Sequence, residues 1–236
     1  MNAKVLANVA VILLGGALVG FMLRAKTGDE VLHSDVEAQY DVEGNLVSVP
    51  PPIAEDDVID FSATKRDPKV EGLMQEFTLT ERSGKEVSSE SLLGRPYIVS
   101  FFFTRCPSIC MQQNRKLEEL QNDLPVEDVR LLAISVDPEF DRPEVLREYA
   151  ARFDADPEQW LFLTGPLDYI RRIGSDLFQQ PVNQQFHTER FALVDGQGDL
   201  DSIYSWNNPV HMKRLKQRIA QLADESLAAT DAKEAS

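Results

Sequence analysis

A chain of 236 residues with 43% hydrophobic composition carries enough apolar mass for one or two folded domains. Wholesale disorder and a small disulfide scaffold are excluded, and a formal net charge of −15 argues against phosphate-backbone binding, so no nucleic-acid partner is expected. The two cysteines, Cys106 and Cys110, lie four residues apart and can act as a pair.

The first element in chain order is the run from Val5 to Leu23, apolar or small apart from Asn8. At about 1.5 Å per residue it comes close to the ~30 Å hydrocarbon core of a bilayer. It reads as an N-terminal transmembrane helix, with residues 1–28 as a membrane anchor. A cleaved signal peptide is the alternative, but the run is long for one and ends without a small-x-small cleavage site. No cysteine follows it, so lipoprotein processing is not expected. Lys4 on one side faces Arg24 and Lys26 on the other, which leaves orientation undecided by the positive-inside rule. Residues 29–72 read as an acidic linker. Between 29 and 60 there are ten carboxylates, no Lys or Arg, and the stiff Pro50-Pro51-Pro52 step, the composition of a solvated, self-repelling spacer. Most of the net charge therefore belongs to the linker and says little about what a folded domain binds.

Residues 73–228 have the pattern of a packed domain. Phe77 to Thr80, a turn at Glu81 to Gly84, and Lys85 to Val87 read as strand, turn and return strand. Tyr97 to Phe103 has the aromatic and β-branched content of a strand buried on both faces, and forms the expected sheet centre. A helix over Gln112 to Leu124 and a strand over Val129 to Val136 complete a parallel βαβ unit. Helices follow at Pro143 to Phe153 and Pro166 to Phe178, separated by a short strand at Trp160 to Leu163. Phe191 to Val194, a turn at Asp195 to Gly198 and Asp201 to Tyr204 form a hairpin, and a last helix runs from Pro209 to Leu227. The fold class is α/β, a mixed sheet with helices on both faces. Residues 229–236 read as a flexible tail.

Cys106 falls just past the C-terminal end of the central strand, where open α/β sheets bind ligands, and Cys110 falls in the first turn of the next helix. With Pro107 at or near the first helical position, the two side chains would share one helix face at a spacing compatible with a disulfide or with two thiolates on one metal ion. The helix N-terminus stabilises a thiolate. Of the three histidines, His33 lies in the linker, and His211 reads as a surface or cap residue at the start of the last helix. His187 sits in a polar loop, Gln179 to Thr188, that could bend back over the cysteines; by itself a loop histidine is an ordinary surface residue.

These residues resemble the Sco/SenC family of membrane-anchored, thioredoxin-like copper proteins over about Phe77 to Leu222. The resemblance rests on Thr104-Arg105-Cys106-Pro107-Ser108-Ile109-Cys110, on Ser135-Val136-Asp137-Pro138-Glu139-Phe140-Asp141-Arg142-Pro143, on Leu163-Thr164-Gly165, and on His187-Thr188 ahead of a hydrophobic strand. It implies a thioredoxin-like fold and one copper ion, as Cu(I) or Cu(II), on Cys106, Cys110 and His187, a soft donor set that suits this metal. It also implies a cytochrome c oxidase copper-site subunit and a thiol reductant as partners, and a single-pass protein of the cytoplasmic membrane with its domain on the extracytoplasmic side. Ser108, Met111 and Phe186 depart from the family pattern, where Asp, Pro and Asp are usual, and two of these changes remove carboxylates that could orient the metal ligands. Met111 is expected to pack, while Asp137 and Asp141 are expected to cap the next helix or fix the loop.

The leading expectation is thus a non-enzymatic copper chaperone whose cysteines alternate between disulfide and dithiolate. The rival is a metal-independent thiol-disulfide oxidoreductase using the same pair. A peroxidase of the peroxiredoxin type fits poorly, because Thr104 stands only two residues before Cys106.

Overall fold

The computed structural model describes residues 39–40, 46–48, 58–63, 74–125 and 127–234, with side chains of 58–63, 74–125 and 127–225. The expected transmembrane helix, His33 and most of the linker lie outside the described residues, and no helix of the described part is long and apolar enough to cross a membrane. The chain divides into two units, Met1–Pro52 and Ile53–Ser236. In the first, β1 (Gln39–Tyr40) pairs antiparallel with β2 (Leu46–Ser48), within the stretch expected as the linker.

The second unit is built on an eight-stranded sheet of β3 (Ile59–Asp60), β4 (Thr78–Glu81), β5 (Glu86–Ser88), β6 (Tyr97–Phe102), β7 (Arg130–Ser135), β8 (Trp160–Thr164), β9 (Arg190–Val194) and β10 (Leu200–Ser205), in the order β3-β10-β9-β6-β7-β8-β4-β5. β6, β7 and β8 run parallel; every other pairing is antiparallel. The central position of β6 follows from its sequence, since all six of its residues are buried and only a strand covered on both faces can use such a run. Its side chains alternate between two cores: Ile98 and Phe102 face one, Val99 and Phe101 the other.

Three helices cover the first face: α1 (Ile109–Asp123) through Leu117 and Leu120, α2 (Pro143–Ala150) through Leu146 and Tyr149, and α4 (Pro209–Glu234) through Leu215, Ile219 and Leu222. The second face is covered by α3 (Leu167–Arg172), through Ile170, and the π-helical turn Ile173–Leu177 that follows it. Helices on both faces are therefore present as expected.

Most boundaries fall within a few residues of the sequence expectation, and four differences have a local reason. α1 starts at Ile109, ahead of the first apolar-periodic residues, because it grows directly out of the cysteine loop. The helix expected over Pro166 to Phe178 changes to π geometry where Gly174 lets the carbonyl of Gln180 approach; a Cβ there would stand 2.5 Å from that oxygen. α4 continues to Glu234, through most of the expected tail, since the Ala-rich stretch after Leu227 favours helix. Ile59–Asp60, placed in the linker, adds an edge strand on β10, with Ile59 opposite Ile203.

The sheet order decides where chemistry can occur. β6 and β7 end, and the antiparallel β9 begins, at the same edge, so the loops after Phe102, after Ser135 and before Arg190 are brought together.

Candidate metal and thiol centre

The cysteine loop leaves β6 through Thr104, which is fixed before any thiol appears. Its backbone N–H donates to Asp141 Oδ2 at 3.0 Å, and its hydroxyl donates to Asp141 Oδ1. Ser135 at the end of β7 donates to the same carboxylate at 2.5 Å. Burial pushes the Asp141 carboxyl upward, and the like charge of Asp137 adds to this, against the lowering effect of those donors. Next to it, Arg105 donates to Asp137 Oδ2 through Nε at 3.1 Å and Nη2 at 2.7 Å. Neither aspartate caps α2, whose N-cap is Arg142 without a side-chain bond. Of the two roles expected for them, fixing the loop is the one observed.

Cys106 is half-buried and lies before the helix, not on its face. Ser108 is the N-cap of α1 and makes no side-chain cap, while Pro107 stands one residue further out. The sulfur of Cys106 folds over the helix end and accepts the backbone N–H of Cys110 at 3.4 Å, the position an N-cap oxygen usually takes. Burial by itself pushes the Cys106 thiol up. Hydrogen bonds from the Cys110 thiol and from the backbone N–H groups of Cys110, Ser108 and Ile109 outweigh it and hold the pKa below the ordinary value. Cys110 is fully buried, and burial together with its bond to Cys106 pushes its thiol well above the ordinary range. Both cysteines are free thiols.

The third group comes from the loop before β9, which bends back over the cysteines. His187 Nε2 lies 3.1 Å from Cys110 Sγ. On the other side of the ring, Nδ1 is 3.0 Å from the Thr188 carbonyl, which can only accept, so the proton is on Nδ1 and the Nε2 lone pair faces the thiol. Burial lowers the His187 pKa, and the bond to Thr188 opposes this only in part, so the imidazole is held neutral. Phe103 packs edge-on to the ring at 6.1 Å.

Three residues that the sequence did not single out complete the frame. Gln185 donates from Nε2 to Asp137 Oδ2 at 3.1 Å and from its backbone to the Val136 carbonyl at 3.2 Å, tying the histidine loop to β7. Gln180 accepts from the Thr188 hydroxyl, beside the carbonyl that holds the imidazole. Asn114 donates to the Cys110 carbonyl at 2.9 Å and to Tyr149 Oη at 3.2 Å. No local signal marks a glutamine or asparagine for such a role, and Gln185 with Asp137 and Asn114 with Tyr149 are joined across 48 and 35 residues of sequence.

Cys110 touches both other donors. As they stand, no group of three His, Cys, Asp or Glu side chains among the described residues is arranged to hold an ion; the two thiols are hydrogen-bonded to each other, and Cys110 meets the imidazole, instead. The donor types nevertheless fit a soft ion, with two thiols and a neutral imidazole whose lone pair is free of its own proton. His211 is elsewhere, buried rather than on the surface, and its Nδ1 accepts from the Ser205 backbone at 3.0 Å, a structural role.

The SCO1/SenC family model matches residues 65–224. The chain belongs to the SCO1/SenC family. Among its relatives, the SCO1 protein homolog of Bacillus subtilis (strain 168) is 40% identical over 141 residues, 56% of this chain and 73% of that protein. The solved structure of BsSco, described as a member of the Sco family of cytochrome c oxidase assembly proteins with a disulfide switch, matches with a TM-score of 0.58. It is 30% identical and covers 67% of this chain and 97% of that one. Yeast Sco1 with copper bound matches with a TM-score of 0.53 at 26% identity, covering 63% of this chain and 88% of that one. The thioredoxin-like SCO1/SenC fold accounts for the mixed sheet and for the position of the cysteines at its edge.

Of the three departures within this SCO1/SenC domain, Ser108 is the N-cap of α1 and makes no side-chain cap bond, and Phe186 is exposed beside the histidine. The imidazole is oriented by a backbone carbonyl, which needs no carboxylate at position 186, and Met111 packs against the core as expected.

Proposed function

We propose that this chain is a membrane-tethered copper chaperone that carries copper on Cys106, Cys110 and His187 and serves assembly of the copper site of cytochrome c oxidase. The observation that carries the reading is the contact of Cys110 Sγ with the unprotonated Nε2 of His187, held in that tautomer by Thr188. An ion takes thiolates and a neutral imidazole, and here only the thiols have protons to lose. Copper is the cargo; the chain binds it, orients it and keeps it from water, with Cys106 as the half-exposed ligand through which it enters and leaves. The pair must be reduced to bind, so a thiol reductant is required when it is a disulfide. The named relatives support the copper and oxidase parts of this reading, and the apolar run Val5 to Leu23 supports the anchor, with the domain in an oxidising, extracytoplasmic compartment.

The test is copper retention by the reduced full-length chain in detergent. Wild type retains stoichiometric Cu(I), and the variant Cys106→Ser with Cys110→Ser retains none; stoichiometric retention by that variant sinks the reading.

A second reading, a metal-independent thiol-disulfide oxidoreductase, is favoured by the inequality of the thiols. Cys106 is the half-exposed, low-pKa nucleophile and Cys110 the buried partner, with His187 Nε2 placed to take its proton. His187→Ala separates the two: loss of copper with disulfide exchange preserved supports the chaperone, and unchanged copper retention removes His187 from the site.

A further inference from the structure

Four large hydrophobic side chains are exposed among the described residues, and both aromatic ones, Phe186 at 64% and Phe140 at 41%, sit on the loops that frame the thiols. Single exposed apolar residues are ordinary, but these two rings stand on the two loops that meet at one reactive centre. Neither is exposed because its loop is loose. Phe186 closes a turn in which it and Asn183 exchange backbone N–H to carbonyl bonds at 3.0 and 2.9 Å, and Arg171 grips the Asn183 side chain at 3.1 Å. Phe140 lies under the Arg105 guanidinium, 4.4 Å from its ring centre, with its N–H on the Asp137 carbonyl at 3.0 Å. Asp137 joins the two supports, because its carboxylate also accepts from Arg105 and from Gln185, the neighbours of Cys106 and Phe186.

The charges around the rings narrow the occupant. The Arg105 cation is neutralised by Asp137, the exposed Glu139 and Glu189 stand next to Phe140 and two residues after His187, and the exposed Arg142 stands two residues after Phe140. Charges of both signs border the rings and neither is concentrated there, so the surface that matches the rings is an apolar one. Cys106 is half-buried, and a partner sulfur must come within bonding distance of it, about 2 Å for a mixed disulfide. The partner's own surface then comes down on the rim.

We infer that Phe186 and Phe140 form the docking rim for the protein that exchanges copper or disulfide with Cys106, a partner that presents its dithiol on an apolar surface. This rests on the chemistry proposed above. In the disulfide exchange, the Cys106 thiolate attacks one sulfur of the partner's disulfide, and the partner's other sulfur leaves and takes a proton. Cys110 then gives up its proton to water, and its sulfur attacks that of Cys106 and displaces the remaining partner thiolate, which takes a proton in turn. The chain's pair ends as a disulfide and the partner's as a dithiol.

The experiment compares full-length wild type with Phe140→Ser/Phe186→Ser. Each protein, reduced and Cu(I)-loaded, is mixed with a small Cu(I) chelator and, separately, with the copper-free soluble domain of a cytochrome c oxidase copper-site subunit. A parallel arm mixes the metal-free reduced chain with the oxidised form of that domain and with a small aromatic disulfide. The rim predicts unchanged rates toward both small reagents and transfer to the protein slowed about tenfold or more, the size of an aromatic hot-spot loss. Wild-type rates toward the protein, equal slowing toward the small reagents, or no exchange at all between wild type and that domain each overturn it. A wild type that holds no copper overturns the chaperone reading alone, since the disulfide arm still decides the rim.

Discussion

The cysteine loop, residues 103–110, and the histidine loop, residues 179–189, reach the same point by different means. The first is short, continues β6 directly and ends in the N-terminal turn of α1, so its sulfurs are placed by regular elements on either side. The second has one isolated bridge, between Asn183 and Phe186, and two non-glycine residues in the left-handed region, Gln179 at φ 51° and Gln185 at φ 53°. Such conformations cost on the order of 1 kcal/mol each and persist only where the surroundings compensate. Here the compensation comes from Asp137, Val136 and the close approach at Gly174. One ligand pair is thus positioned by secondary structure, and the third ligand by tertiary contacts.

That contrast can be broken at its joint. Asp137→Ala removes the buried acceptor shared by both loops and should cost about 2–3 kcal/mol, read as a lower urea midpoint, and should weaken copper retention as well. Stability within 0.5 kcal/mol of wild type, on the order of the surface-substitution scale, would show that the loops hold themselves. Gly174→Ala acts on the histidine loop alone. Its Cβ meets the Gln180 carbonyl, so a loss of about 1–3 kcal/mol is expected, with the pKa shift of Cys106 preserved.

Asp141→Asn probes the cysteine side and carries a pH signature. Because the folded carboxyl pKa is raised above the unfolded value of about 3.9, the wild-type group contributes most below that value and loses the contribution as pH rises through the folded pKa. The advantage of wild type over the Asn variant should therefore shrink on going from about pH 4 to 7. An advantage that grows over this range contradicts the direction.

His187→Ala should change stability by less than about 1 kcal/mol, since its partners are a backbone carbonyl and a thiol, while abolishing tight copper retention. The smallest effect is on labelling. Alkylation of Cys106 should follow a titration midpoint lower than that of an ordinary thiol, with Cys110 unreactive at that pH, because the first thiolate is stabilised and the second is penalised by burial. Mass spectrometry after brief iodoacetamide treatment checks the order; Cys110 reacting first would reverse the assignment.

Much of the centre was legible beforehand. The run Tyr97 to Phe103 announced a buried central strand, and a cysteine pair after it, with proline between, announced a loop leading into a helix. What misled was helix geometry: proline suggested N1, whereas Ser108 takes the cap and Cys106 supplies its own sulfur to the helix end. His211 read as a surface or cap residue because it lies at a helix start among Lys213 and Arg214; packing against Tyr204 and the bond from Ser205 bury it instead.

By itself the sequence determined the α/β alternation, the buried centre of the sheet and the two sulfurs at its edge, because strand burial and helix starts are written in short-range patterns. Only the tertiary structure decided that His187 meets Cys110, that Asp137 ties its loop to the cysteine loop, and that two phenylalanines stay outside. Those contacts join residues 32 to 77 positions apart through side chains that obey no local period, and only the order of the strands brings their loops to one edge.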